Sequence, residues 1–119
     1  MTKRVVGTVT IVFCAALALG SLALARPQAA AVTVTAGKPS ELRFTLSRRT
    51  VPKGAVTFAV TNRGKLRHDF KIAGKKTPLL ASGKRARLKV TFKKSGRFPF
   101  LCTVPGHAAG GMKGTFVVK

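Results

Sequence analysis

Residues 98–114 read F-P-F-L-C-T-V-P-G-H-A-A-G-G-M-K-G. In an extended strand Phe98, Phe100 and Cys102 share one face, so a row of two aromatic rings ends on a thiol. Beyond that strand, Cys102, His107 and Met112 follow each other at equal steps of five, linked by segments that contain Pro105, Gly106, Gly110 and Gly111. Links of this composition fold back on themselves, which would bring a thiol, an imidazole and a thioether to one point at the edge of a sheet.

Working outward, the chain alternates with period two. Val32–Thr35, Leu42–Leu46, Ala55–Thr61, Leu66–Ile72, Ala86–Phe92, 98–102 and 113–118 each place apolar side chains on one face and polar ones on the other. Charged, Pro-containing and Gly-containing segments separate them, among them 48–54, Asn62-Arg63-Gly64 and Lys93–Gly96. Residues 73–84 are irregular, with Leu79 and Leu80 available to cover one end of the core. No helical segment, internal repeat or second domain is evident. The pattern predicts an all-β fold, a Greek-key β-sandwich or barrel of about seven to eight mostly short, antiparallel strands.

The N-terminus is different. Lys3 and Arg4 precede an uncharged run, Val5 to Ala25, that ends in Ala23-Leu24-Ala25, the order of a secretory signal peptide. Residues 1–25 are therefore expected to be a leader, or an uncleaved N-terminal anchor, since the run is long enough to span a bilayer. Residues 26–31 are expected to form a short tether and 32–119 the domain. Without the leader, Cys102 is the only cysteine, so no internal disulfide can form. A lone exported thiol is either a buried small hydrophobe or a metal ligand.

The 119-residue chain has 23 Lys and Arg against 2 acidic residues, a formal charge of +21, and residues 27–119 keep +18. Such a field attracts acidic proteins and anionic membrane or cell-wall surfaces. Specific nucleic-acid recognition is not expected, because the chain has no Trp or Tyr to stack on bases and its Phe residues fall on strands.

One further histidine exists, His68, on the alternating segment 66–72 with Leu66, Phe70 and Ile72, while Arg67, Asp69 and Lys71 take the other face. Taken with the downstream cluster, it completes a donor set of His68, Cys102 and His107 with a weak Met112, which favours copper in a trigonal His₂Cys site with a long axial thioether. Zinc accepts Cys and His, but its structural sites add further Cys or His and do not use Met. A Cys–His nucleophile needs an oriented base, and on a strand Asp69 points away from His68.

His68-Asp69-Phe70 followed by C-T-V-P-G-H-A-A-G-G-M at 102–112 resembles the cupredoxins, the small blue-copper proteins of the plastocyanin and azurin type. The resemblance covers nearly all of residues 32–119. It implies a two-sheet Greek-key sandwich, one copper ion cycling between Cu(I) and Cu(II), His68 as the early ligand, and Cys102, His107 and Met112 as those of the C-terminal loop. It also implies single-electron transfer between redox partners without enzymatic catalysis. A copper-delivery or storage protein with the same ligands is the alternative. Phe70, Phe98 and Phe100 are expected to wall the site, and Asp69 to brace the loop around Cys102. The acidic recognition patches of many cupredoxins are missing, so the expected partners are acidic at the docking face. The chain is expected to be a monomer, exported to the periplasm, cell surface or medium, or tethered to the membrane by residues 5–25.

Overall fold

A computed structural model describes residues 29–119, together with positions 2, 7, 11 and 12. Apart from those four positions, the expected leader lies outside the described residues, as does 26–28 of the expected tether. No helix among the described residues is long and apolar enough to cross a membrane.

The described residues form nine strands: β1 Ala30–Ala36, β2 Phe44–Leu46, β3 Thr50–Val51, β4 Gly54–Asn62, β5 Lys71–Ile72, β6 Lys75–Lys76, β7 Arg85–Phe92, β8 Gly96–Leu101 and β9 Lys113–Val118. They form one sheet of order β2-β1-β4-β7 and another of order β3-β9-β8-β5-β6. The all-β expectation holds. The expectation of purely antiparallel pairing does not, because β1 runs parallel to β4 from Ala30↔Val56 to Ala36↔Asn62, and β3 parallel to β9. Both parallel neighbours join segments that are distant in the chain, and period two says which face a strand buries but not which strand it pairs with.

Three boundaries differ from expectation. β1 starts at Ala30, two residues inside the expected tether, since Ala30 and Ala31 continue the pairing with β4. Thr50–Val51, inside the expected charged turn, is a strand against β9 with Val51 buried. Most important for the site, 66–72 is not one strand. Only Lys71–Ile72 pairs within a sheet, Leu66 is 50% exposed instead of buried beside His68, and Asp69 is buried instead of facing outward. The segment curls because its backbone bonds to side chains: Lys65 and Leu66 donate N–H groups to Glu41, and the Leu66 carbonyl accepts from Asn62.

Phe58, Phe70, Phe100 and Phe116 fill the space between the sheets, each no more than 1% exposed. Phe58 meets Phe116 edge-on at 5.2 Å between centroids, and Phe44 meets Phe70 at 5.4 Å. Such pairs contribute about 0.5–1.5 kcal/mol beyond simple burial. The rings carry the inward row of β8 up to Cys102, at the end of the sandwich where β4, β8 and β9 enter or leave their loops. Leu80 is buried over this end, while Leu79 is half exposed.

Candidate metal centre

Cys102 follows the last residue of β8, and its N–H donates to the Met112 carbonyl just ahead of β9, so the strand pair itself closes the loop between them. Within the loop, His107 N–H donates to Val104 O, Gly110 to Gly106 O, Gly111 to Ala108 O and Met112 to His107 O, all at 3.0–3.1 Å. These successive turns fold the two five-residue links back as the Pro and Gly content suggests. Gly111 takes a φ of 116°, and a Cβ there would run into the Arg43 guanidinium, so glycine is needed for backbone and packing alike. His68 is set from the other side by a two-way backbone bridge with Leu80.

The side chains converge. His68 Nδ1 lies 3.2 Å from His107 Nδ1 and 4.0 Å from Cys102 Sγ, and His107 Nδ1 lies 3.7 Å from the same sulfur. A metal bonded to nitrogen at about 2.0 Å and to thiolate sulfur at about 2.3 Å, in a trigonal array, separates its donors by roughly 3.5 Å (N to N) and 3.7 Å (N to S). The triangle therefore has the size of one coordination sphere. His68, Cys102 and Met112 are buried with 0–1% exposure, while His107 is only partly so. The mixture of one soft thiolate, two imidazoles and a buried thioether is a copper donor set.

Polar groups behind the donors fix their aim. Glu41 Oε1 contacts His68 Nε2 at 2.8 Å, which leaves Nδ1 for the triangle. The same carboxylate accepts N–H from Lys65 and Leu66 at 3.0 and 2.8 Å. Gly64 makes this possible, because a Cβ there would sit 2.5 Å from Glu41 Oε1 and 3.0 Å from His68 Nε2. Asp69 accepts the Thr103 N–H at 2.6 Å and the Thr103 hydroxyl, tying the residue after Cys102 to the residue after His68. Burial pushes the Cys102 thiol up from its ordinary value, and backbone N–H groups of Asp69 and Val104 pull it back.

The Lys65 N–H, then that of Leu66, hold Glu41 down at about 2, with burial opposing and His68 assisting. A carboxyl depressed in the fold stabilises it fully above its unfolded value of 4.5, and that contribution disappears as the pH falls toward about 2. The urea midpoint of the metal-free protein should therefore fall across this window more steeply than that of Glu41→Gln. Parallel curves would contradict the assignment.

His68, Cys102 and His107 thus meet at one end of the sandwich, Met112 lies buried in the same loop with its backbone bonded to Cys102 and His107, and Asp69 braces the Cys102 loop from a buried position. Phe70 and Phe100 line the core beneath, and Phe98 packs against it half-buried. Glu41 was not anticipated beyond its charge. Its one sequence signal is scarcity, since it is one of two acidic residues in a chain with 23 basic ones.

Residues 7–118 match the model of the cupredoxin-like domain, and the chain belongs to that family. Its metal is copper, the ion that this family binds and that these side chains suit. The copper-resistant cuproprotein CopI of Rubrivivax gelatinosus is 28% identical over 110 residues, covering 73% of this chain and 66% of its own length, just under two thirds. Dithionite-reduced auracyanin of Roseiflexus castenholzii superposes with a TM-score of 0.64 at 21% identity, covering 77% of this chain and 98% of that one. Rusticyanin of Thiobacillus ferrooxidans does so with a TM-score of 0.64 at 23% identity, covering 75% and 76%.

Proposed function

We propose that the protein is an exported type 1 copper protein that passes single electrons between redox partners, with His68, Cys102 and His107 as strong ligands and Met112 as the weak axial one. The observation that carries this reading is the triangle of 3.2, 3.7 and 4.0 Å that the Nδ1 atoms of His68 and His107 make with each other and with the Cys102 sulfur. Copper supplies a one-electron couple whose cuprous form prefers sulfur and whose cupric form accepts nitrogen. The protein supplies a donor set that suits both: Glu41 and the Leu80 bridge hold His68, and the backbone turns of 102–112 with the Asp69 carboxylate hold the loop that carries Cys102, His107 and Met112.

His107 provides the route outward. It is partly exposed among Pro105, Gly106, Ala109 and Gly110, all exposed and small, with Leu66 on the neighbouring loop. Arg43, Lys65 and Arg67 are exposed on the loops that border this end. An acidic partner would be drawn to that rim and dock briefly on the apolar centre, and the chain would act as a monomer. Steering of this kind works within a Debye length of about 8 Å at physiological salt. The association rate with the physiological partner should fall at least ~10-fold between low and high ionic strength, measured by stopped-flow reduction; a flat profile would contradict steering.

The name of the CopI relative favours a second reading, copper delivery or storage by the same ligands. Copper retention separates the two. A carrier of electrons keeps its copper against a chelator while it is cycled with mild reductant and oxidant, whereas a carrier of copper yields it to the chelator within the cycle.

A further inference from the structure

Both carboxylate side chains of the chain are engaged at the copper end, Glu41 with His68 and two backbone N–H groups, Asp69 with Thr103. Neither compensates the basic surface, and among the described residues no Lys or Arg is in a salt bridge. The uncompensated cations are not spread evenly. Residues 71–94 hold nine Lys and Arg and no acid. They concentrate on one side of the sandwich, where β7, the edge of the first sheet, adjoins β6, the edge of the second: Lys75 Nζ reaches the Lys89 carbonyl at 3.5 Å.

Along β7 the exposed positions are Arg85, Arg87, Lys89 and Thr91, so three cations stand on one face and in one line. Alternate residues of a strand stand about 6.7 Å apart. Their neighbours on β4 are Thr61, Ala59 and Thr57, so the row borders a flat face of small side chains and hydroxyls. At the copper end the row runs into a hollow of about 550 Å³ lined by Lys38, Arg63 and Arg85 with Thr61 and Ser82. A second hollow, sharing Thr61 and Arg85 and including Arg87, continues it along the sheet.

We infer that this edge is a docking rail for a linear, phosphate-bearing polymer. Guanidinium groups pair with phosphate oxygens in two-point hydrogen bonds, lysine adds point charge, and the threonine hydroxyls donate to oxygens that the cations leave free. A line of cations matches a chain, not a plane. A bilayer surface is favoured by apolar side chains that insert beside the cations, and the exposed large ones in the domain, Leu66 and Leu79, lie instead in the loops at the copper end. From Arg87 to Lys89 the rail runs along the side of the sandwich, and its Arg85 end reaches the hollow at the copper end. The inference does not depend on the copper chemistry.

The test is binding of the full-length, copper-loaded protein to long-chain inorganic polyphosphate and to phosphatidylglycerol vesicles at matched phosphate, across a salt series. Replacing Arg85, Arg87 and Lys89 together by Gln should weaken polyphosphate binding at least ~10-fold and make the slope of log affinity against log salt shallower by about 2, at roughly 0.7 per cation lost. Replacing Arg48, Lys53 and Lys119, three exposed cations outside β6 and β7, removes the same charge and should change affinity less than about threefold. The visible spectrum of the copper form reports folding of each variant; Arg87→Gln alone, with a slope change of about 0.7, serves if the triple variant is unstable. Equal losses in the two triple variants would reduce the rail to net charge or to protection of an open sheet edge and would overturn the inference. So would tighter binding to the vesicles than to polyphosphate, or no polyphosphate binding by the unaltered protein.

Discussion

Cys102→Ser is expected to leave the sandwich folded and to abolish the intense visible absorption of the copper-loaded protein, with cuprous affinity lower by at least ~100-fold. Removing a residue merely behind a ligand costs 10- to 100-fold in metal affinity, and Cys102 offers the one soft anionic donor of the triangle. A serine hydroxyl is hard and stays protonated, so it satisfies neither the preference of copper(I) for sulfur nor the charge of copper(II). The side chains differ little in volume, so the core ending in Phe98 and Phe100 should hold. Proton release supplies a second readout. Burial raises the Cys102 thiol above its ordinary value, so at neutral pH the thiol is protonated and binding must displace that proton. Copper affinity of the unaltered protein should therefore climb about tenfold per pH unit from this group, and that component should vanish in Cys102→Ser. Competition titrations against a copper chelator at several pH values measure both effects. A variant that keeps its intense colour would remove sulfur from the site.

Glu41→Gln should raise the reduction potential and weaken cupric retention. The carboxylate at 2.8 Å from His68 Nε2 places a full negative charge one imidazole away from the donor triangle. It stabilises the more highly charged oxidised state and makes the ring a stronger donor. Gln keeps an acceptor oxygen but loses the charge, and it cannot serve the Lys65 and Leu66 N–H groups as two equal oxygens do. If the roughly 10- to 100-fold loss typical of such partners falls on the cupric state alone, the potential rises by about 60–120 mV, at about 59 mV per factor of ten. Voltammetry of the two proteins at one pH decides. An unchanged or lowered potential would mean that Glu41 only holds the 62–68 loop in place.

Much of the site was legible because its cues are local. The spacing of Cys102, His107 and Met112 with Pro and Gly between them encodes the loop almost by itself, and the Phe98, Phe100 and Cys102 row marks the strand that delivers it. His68 could be paired with them because the chain has no other spare imidazole. What could not be read depends on contacts distant in sequence. Glu41 is 27 residues from His68, and its loop reaches the ring only because Gly64 leaves room and Asn62 is pinned through Leu66 and Leu80. The curl that exposes Leu66 and buries Asp69 has the same origin. Period two at 66–72 mimics a strand, but the Glu41 carboxylate and the Thr77 hydroxyl accept the Leu66 and Phe70 N–H groups that a neighbouring strand would have taken. The parallel pairings of β1 with β4 and of β3 with β9 are likewise decided by which surfaces meet, not by any one segment.

The most direct measurement is the combined visible and electron-spin-resonance spectrum of the copper(II)-loaded protein at known stoichiometry. The expected result is one copper per chain and an intense visible band that bleaches on addition of a mild reductant and returns on reoxidation, with resonance parameters of a copper bound to thiolate sulfur and imidazole nitrogen. A pale, weakly absorbing copper with the resonance of a tetragonal nitrogen and oxygen site would contradict coordination by His68, Cys102 and His107.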